Sequence, residues 1–228
     1  MHEVIRKGAK TILAIFFLIG MIGESDHAYA MQLGTVELEA TPYLKGGTIA
    51  WDQLGGVGGH KFIVAGGLNT NVKFSSFGAG INFEKWWVAE GLDDDEGIIP
   101  EDGYSISTDI KYFIKIDGNL LFYPYAGVGF EEWEKEETGE TWKSLKFYNW
   151  AVGMGIENEK GYIKAGITRP FSVSTNNDLK PKSRYGFSAE GGIKLKAFTV
   201  GLFYKYAGFE DPDAKMSQSG LFIGYTFR

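Results

Sequence analysis

Cysteine is absent from the 228 residues, which excludes a disulfide framework, a thiol nucleophile and cysteine-ligated metal. An excess of positive charge is also missing. The net charge is −6 and the pI about 5.2, a balance that argues against nucleic acid as the main partner. Histidine occurs three times. Beyond the first thirty residues no run is long and apolar enough for a membrane helix, and helical periodicity is almost lacking. What the chain has instead is glycine, 32 residues, and aromatic side chains, 15%. The mean hydropathy of −0.14 has the value of a soluble protein, yet a sheet with one apolar and one polar face averages to the same neutral figure.

Residues 1–30 have the build of a secretory signal peptide. Arg6, Lys7 and Lys10 form a positive front, residues 11–22 (TILAIFFLIGMI) an apolar core, and Ala28-Tyr29-Ala30 a small-x-small cleavage site. About twelve apolar residues fall short of the ~20 that span a bilayer, so removal is expected rather than retention as an anchor. Residues 31–228 then form one domain, and its net charge stays at −6 because three acids leave with the three bases.

That domain alternates with a period of two, the mark of strands whose faces meet different surroundings. In 105–116, Ile106, Thr108, Ile110, Tyr112, Ile114 and Ile116 share one side, and Ser105, Ser107, Asp109, Lys111, Phe113 and Lys115 share the other. The same reading sets Val36, Leu38 and Ala40 against Glu37 and Glu39. It sets Ile81 and Phe83 against Asn82 and Glu84, and Val128 and Phe130 against Gly129 and Glu131. Further along, Val152 and Ile156 oppose Gly153 and Glu157, and Ile163 and Ile167 oppose Lys164 and Gly166. Ala189, Ile193 and Leu195 oppose Glu190, Gly192 and Lys194. Val200 and Tyr204 oppose Gly201 and Lys205, and Leu221 to Phe227 alternate with Gly220, Gly224 and Thr226. A glycine-rich strand at 61–71 has no clear register.

The expected fold is all-β, an antiparallel up-and-down transmembrane barrel of about ten strands, eight if the glycine-rich strand or its neighbour does not cross. Short links near 69–73, 117–118, 157–161 and 196–197 alternate with long ones at 46–60, 90–103, 132–143, 170–184 and 208–217. Short periplasmic turns and longer extracellular loops would give this asymmetry. Aromatic residues at strand ends would form interface girdles: Trp51, Trp86, Trp87 and Trp133 at the long-loop end, Tyr162, Tyr225 and Phe227 at the other. The lumen-facing charges would be Glu37, Glu39, Glu84, Asp109, Lys111, Lys115, Glu131, Glu157, Lys164, Glu190, Lys194, Lys196 and Lys205. Signs so nearly matched suggest a cross-linked plug more than an ion-selective conduit, although inward glycines would leave room for a thin water path.

The last strand, 220–227 (GLFIGYTF), resembles the terminal strand of the Gram-negative outer-membrane β-barrel superfamily, with Arg228 following the aromatic residue that usually ends it. Residues 123–133 (YPYAGVGFEEW) are similar to strands of its small members. The resemblance implies an outer-membrane location and contact of the terminal strand with the barrel-insertion machinery. It says little of activity, since this fold hosts many functions.

Chemistry is sparse. After removal of residues 1–30 only His60 survives, in LGGVGGH, and no serine and acid are spaced to complete a hydrolytic triad with it. Residues 93–97 (DDDEG) and 131–140 (EEWEKEETGE) are acidic, most simply solvated loops, alternatively sites where divalent cations bridge to lipopolysaccharide phosphates. No cofactor is expected. The sequence supports a non-enzymatic surface barrel with acidic loops and a largely plugged lumen; the alternatives are a narrow porin-like channel and, third, an outer-membrane hydrolase.

Overall fold

In the computed structural model the described residues are 36–53, 59–88, 102–134, 144–175, 182–210 and 214–227. The secretory segment and the 93–97 loop therefore lie outside them. So do Trp51 as a side chain and the 135–140 half of the second acidic run.

Ten antiparallel strands make the wall: β1 (Val36–Gln53), β2 (Gly59–Phe74), β3 (Phe77–Val88), β4 (Asp102–Tyr112), β6 (Leu120–Glu134), β7 (Ser144–Asn158), β8 (Gly161–Thr175), β10 (Gly186–Leu195), β11 (Phe198–Glu210) and β12 (Ala214–Tyr225). Two short strands supplement them. β5 (Ile114–Asp117) extends β4 along β6, and β9 (Lys182–Ser183) extends β10 along β11. Each wall strand pairs with its sequence neighbour, and β1 pairs with β12 from Tyr43↔Gly224 to Gln53↔Ala214, so the sheet closes on itself. Backbone bonds between Ala40 and Phe227 at 2.8 and 3.1 Å extend the closure downward.

The glycine-rich strand crosses, which fixes the number at ten. Its register, unresolved by composition, follows from Gly67↔Tyr43 and Gly67↔Glu84: Phe62, Leu68, Val72 and Phe74 point outward and Ile63 and Ala65 inward. The strands also run further than hydropathy suggests. β2 reaches Phe74, so its turn is Ser75-Ser76 and not 69–73, and β1 continues through Gly46 and Gly47 to Gln53. Backbone pairing continues past the point where side chains cease to be apolar, because the ladder needs only N–H and C=O groups. At one end two-residue turns join the strands, with Ser75, Gly118 and Lys196 at positive φ (53°, 48°, 58°), the left-handed backbone that tight hairpins require. At the other end the connections are residues 54–58, 89–101, 135–143, 176–181 and 211–213.

The exterior is apolar. Among the described residues thirty large hydrophobic side chains are exposed, Ile110 at 68% among them, far beyond the patches that soluble monomers leave in water. Rings ladder across neighbouring strands near the long-connection end: Tyr104–Phe130 at 5.7 Å, Phe130–Tyr148 at 5.0 Å and Tyr148–Phe171 at 6.1 Å. At the short-turn end Phe198–Tyr225 at 5.0 Å crosses from β11 to β12, and Tyr225 meets Phe227 along its own segment at 4.8 Å. A closed, even-stranded barrel with an apolar band between two aromatic belts and asymmetric connections has the architecture of a bacterial outer-membrane protein. The chain is integral to that membrane.

Arginine at Ile110 should block assembly, since a charge on the lipid face near mid-wall costs about 2–4 kcal/mol. Alanine at the adjacent, inward Lys111 should still allow it. The folded, fast-migrating band of unheated protein on a denaturing gel reads both outcomes.

Candidate functional site

Side chains pointing inward separate into two layers. The middle of the lumen is charged and paired. Lys45 of β1 lies 2.6 Å from Glu84 of β3, whose Oε2 is also 2.9 Å from the Tyr43 hydroxyl. Lys164 of β8 meets Glu190 of β10 at 3.3 Å, and the Tyr162 hydroxyl donates to the same carboxylate at 2.5 Å. Lys111 donates to Asn71 Oδ1 at 2.7 Å and sits 3.2 Å from Asp109 of its own strand. Lys205 of β11 reaches across to Glu131 of β6, which also accepts from Trp133 Nε1 at 2.8 Å. Every one of these lysines has a carboxylate, as charges withdrawn from water require.

Of the charges expected in the lumen, this network brings together Glu84, Asp109, Lys111, Glu131, Lys164, Glu190 and Lys205. Glu37, Glu39, Lys115, Glu157 and Lys194 sit in the last turns of wall toward the short-turn mouth, where Lys194 donates to the Asn158 carbonyl at 3.3 Å. Lys196 is not on the wall: it occupies the β10–β11 turn at positive φ. Lys45 and the tyrosines 43, 123, 125 and 162 are members that the charge pattern alone overlooked. Lys45 continues the parity of Glu37 and Glu39, and that count would have found it.

Toward the long-connection end the interior turns apolar. Ile49, Ile63, Trp86, Val88, Trp133, Leu145, Phe147, Phe209 and Met216 form one buried cluster. Trp86 and Trp133, expected in the girdle, are 1% and 0% exposed and face each other inside the barrel at 4.2 Å between ring centroids. The reason is parity. Trp86 shares the side of Glu84, and Trp133 the side of Glu131. Trp87 does point outward, and Tyr225 and Phe227 lie in the short-turn belt. Tyr162 is another inward ring, through its bond to Glu190.

Several inward glycines lie against aromatic rings. A Cβ at Gly155 would collide with the Tyr123 ring, one at Gly153 or Gly166 with Tyr125, one at Gly103 with Trp86, and one at Gly201 with Phe222. Each of these five glycines seats a ring from another strand, the adjoining one except at Gly166, whose ring comes from β6 past β7, so space released by the missing side chain is filled. Between the layers a cavity of about 200 Å³ remains, lined among others by Lys45, Glu84, Asp109, Lys164, Lys205 and Gln218.

His60 starts β2 with its side chain exposed on the outward face, the face of Phe62. Among the described residues no three histidines or carboxylates gather as a metal site. At the outer aromatic belt the exterior carries ion pairs, Lys85–Asp102 at 2.8 Å and Lys146–Glu132 at 2.6 Å, with the Tyr104 hydroxyl donating to Glu132 at 2.7 Å. On β8, Arg169 lies one outward position short of the belt ring Phe171 and stacks over Tyr185 at 4.9 Å.

No protein-family model matches the chain, and no curated protein matches it. Among solved structures it is similar to neisserial surface protein A, at 6% identity and a TM-score of 0.40 over 83% of this chain and 97% of that one. It is also similar to Ail, the attachment invasion locus protein of Yersinia pestis, at 14% identity and a TM-score of 0.36 over 83% and 98%. A third is the outer membrane protease OmpT of Escherichia coli, at 10% and 0.38 over 83% and 96%. None lends a residue role to this chain; the fold rests on the strand pairing described above.

Removing the partner of the most buried paired carboxylate should be costly. Lys205→Ala strands Glu131, a side chain 2% exposed, and should lower stability by about 3–5 kcal/mol. The double change Lys205→Met, Glu131→Gln should recover much of that loss. Urea midpoints followed by tryptophan fluorescence compare the three proteins.

Proposed function

We propose that this outer-membrane barrel is a sealed, non-enzymatic surface protein, whose wall holds the five long-side connections at the cell exterior. The observation that supports the reading is the apolar cluster around Trp86 and Trp133, which spans the interior at the long-connection end. Packed aromatic and aliphatic side chains exclude water and ions alike. Beneath it the charges neutralise one another in pairs, leaving no ring of one sign to select an ion. The catalytic alternative has little to build on: the interior carboxylates are held by lysines, and His60 faces away from them.

The cavity below the cluster favours the second reading, a narrow channel for small solutes, in which the tryptophan pair would act as its constriction. Partners follow from the exterior. Lys85 and Lys146 at the outer aromatic belt, with Arg169 just inside it, suit the phosphates of lipopolysaccharide, and divalent cations would reinforce such contacts through Asp102 and Glu132. The aromatic end of β12 suits the insertion machinery.

Purified protein in planar bilayers should give no steady single-channel steps. Replacing both Trp86 and Trp133 with glycine should create them, because that change removes the rings that fill the cross-section. Steady steps from the unaltered protein would exclude the sealed reading and favour the channel.

A further inference from the structure

We propose that the mid-lumen cavity is a binding chamber for a small zwitterion, a molecule of amino-acid size bearing one acidic and one basic group. The proposal goes beyond the sealed-barrel reading and does not depend on whether the barrel conducts.

One side chain points to a ligand. Gln218 of β12 is 4% exposed, lines the cavity, and its Nε2 has no hydrogen-bond partner among the described residues. A buried amide donor without an acceptor is unfavourable, and a polar occupant of the cavity supplies one. Gln218 is directly paired with Lys205 of β11, and β1, next in the ring, contributes Lys45. Lys205, Gln218 and Lys45 thus stand on three neighbouring strands, while Lys111 and Lys164 line other parts of the cavity. Four strands from β12 around the ring of ten, β4 presents Asp109, whose Oδ1 is buried and lacks a hydrogen bond, with the Lys111 ammonium 3.2 Å off. An unmet donor at Gln218 and an unmet acceptor at Asp109 select a molecule that is negative at one end and positive at the other.

Charge bookkeeping sets the net charge of the occupant. Four lysines and three carboxylates line the chamber, and the fourth carboxylate, Glu131, is bound to Lys205 beside it. The surroundings are formally neutral. An anion or a cation would leave this balanced set of charges with one uncompensated, whereas a zwitterion brings none. An apolar molecule would leave the Gln218 donor unmet. The volume of about 200 Å³ is that of roughly six or seven liquid waters, room for an occupant of a few heavy atoms.

Calorimetric titration of the full chain in detergent micelles with glycine, β-alanine and γ-aminobutyrate tests the assignment, with acetate and ethylammonium as singly charged controls. Saturable binding of at least one zwitterion, with neither control binding comparably, is the expected result. Gln218→Leu should weaken that binding at least about tenfold, the loss of one hydrogen bond to a charged group. Asp109→Asn, which keeps the shape and removes the charge, should weaken it as well. Gel mobility establishes that each variant is folded. Absence of saturable binding for all three zwitterions, equal binding of acetate, or unchanged affinity in both variants would overturn the proposal.

Discussion

The structure depends on one constraint: in hydrocarbon, no water is present to pair with a backbone N–H or C=O. A sheet in that medium cannot keep an edge, so the last strand must meet the first. The pairing of β12 with β1, and the two bonds between Ala40 and Phe227, satisfy groups that would otherwise be exposed to lipid. Closure then divides the side chains into two populations with no exchange between them. Residues of one parity meet acyl chains and those of the other meet each other.

A ten-stranded ring is narrow, and its interior has to be filled. The filling combines two devices. Glycines on one strand receive rings from the next, as Gly155 receives Tyr123 and Gly153 receives Tyr125, so that large and small side chains interdigitate at close to core density. Where charges point inward they are matched across strands, β1 to β3, β6 to β11 and β8 to β10. Those three links brace the ring across its interior as well as along its ladder.

Much of this was legible in the sequence. The run from Ser105 to Ile116 declared both faces of β4 and β5, and with its counterparts pointed to an antiparallel barrel of about ten strands, with eight left open until the crossing of β2 decided the number. Two features were not. Tryptophans at strand ends suggest a girdle whichever side they face, and only continuing the parity from Glu84 to Trp86 and from Glu131 to Trp133 reveals the apolar layer. Glycines inside a barrel suggest empty space, because the ring that covers each one comes from another strand and is invisible in local sequence. The cavity, too, arises from the meeting of every wall strand but β2, which no single segment encodes. Gln218 is the sharpest case: among small residues in MSQSG nothing marks it as buried and unpartnered.

The order of the layers follows from the same constraint that closes the ring. A strand with apolar residues on both faces could slip by one residue and exchange inside for outside at little cost. Across the hydrocarbon span that exchange is prevented by Lys111, Lys164, Glu190 and Lys205, each of which a slip would turn into lipid. At the level of the outer aromatic belt the penalty for such an exchange falls, since the interface accepts polar groups. Discrimination between faces is no longer required there, and the interior is free to be packed for stability. Trp86, Trp133, Phe147 and Phe209 occupy that level. On this account the charged layer specifies which face meets the lipid and the apolar layer packs the interior near the mouth. Hydrophobic side chains in place of the charges at mid-span would leave the register undecided.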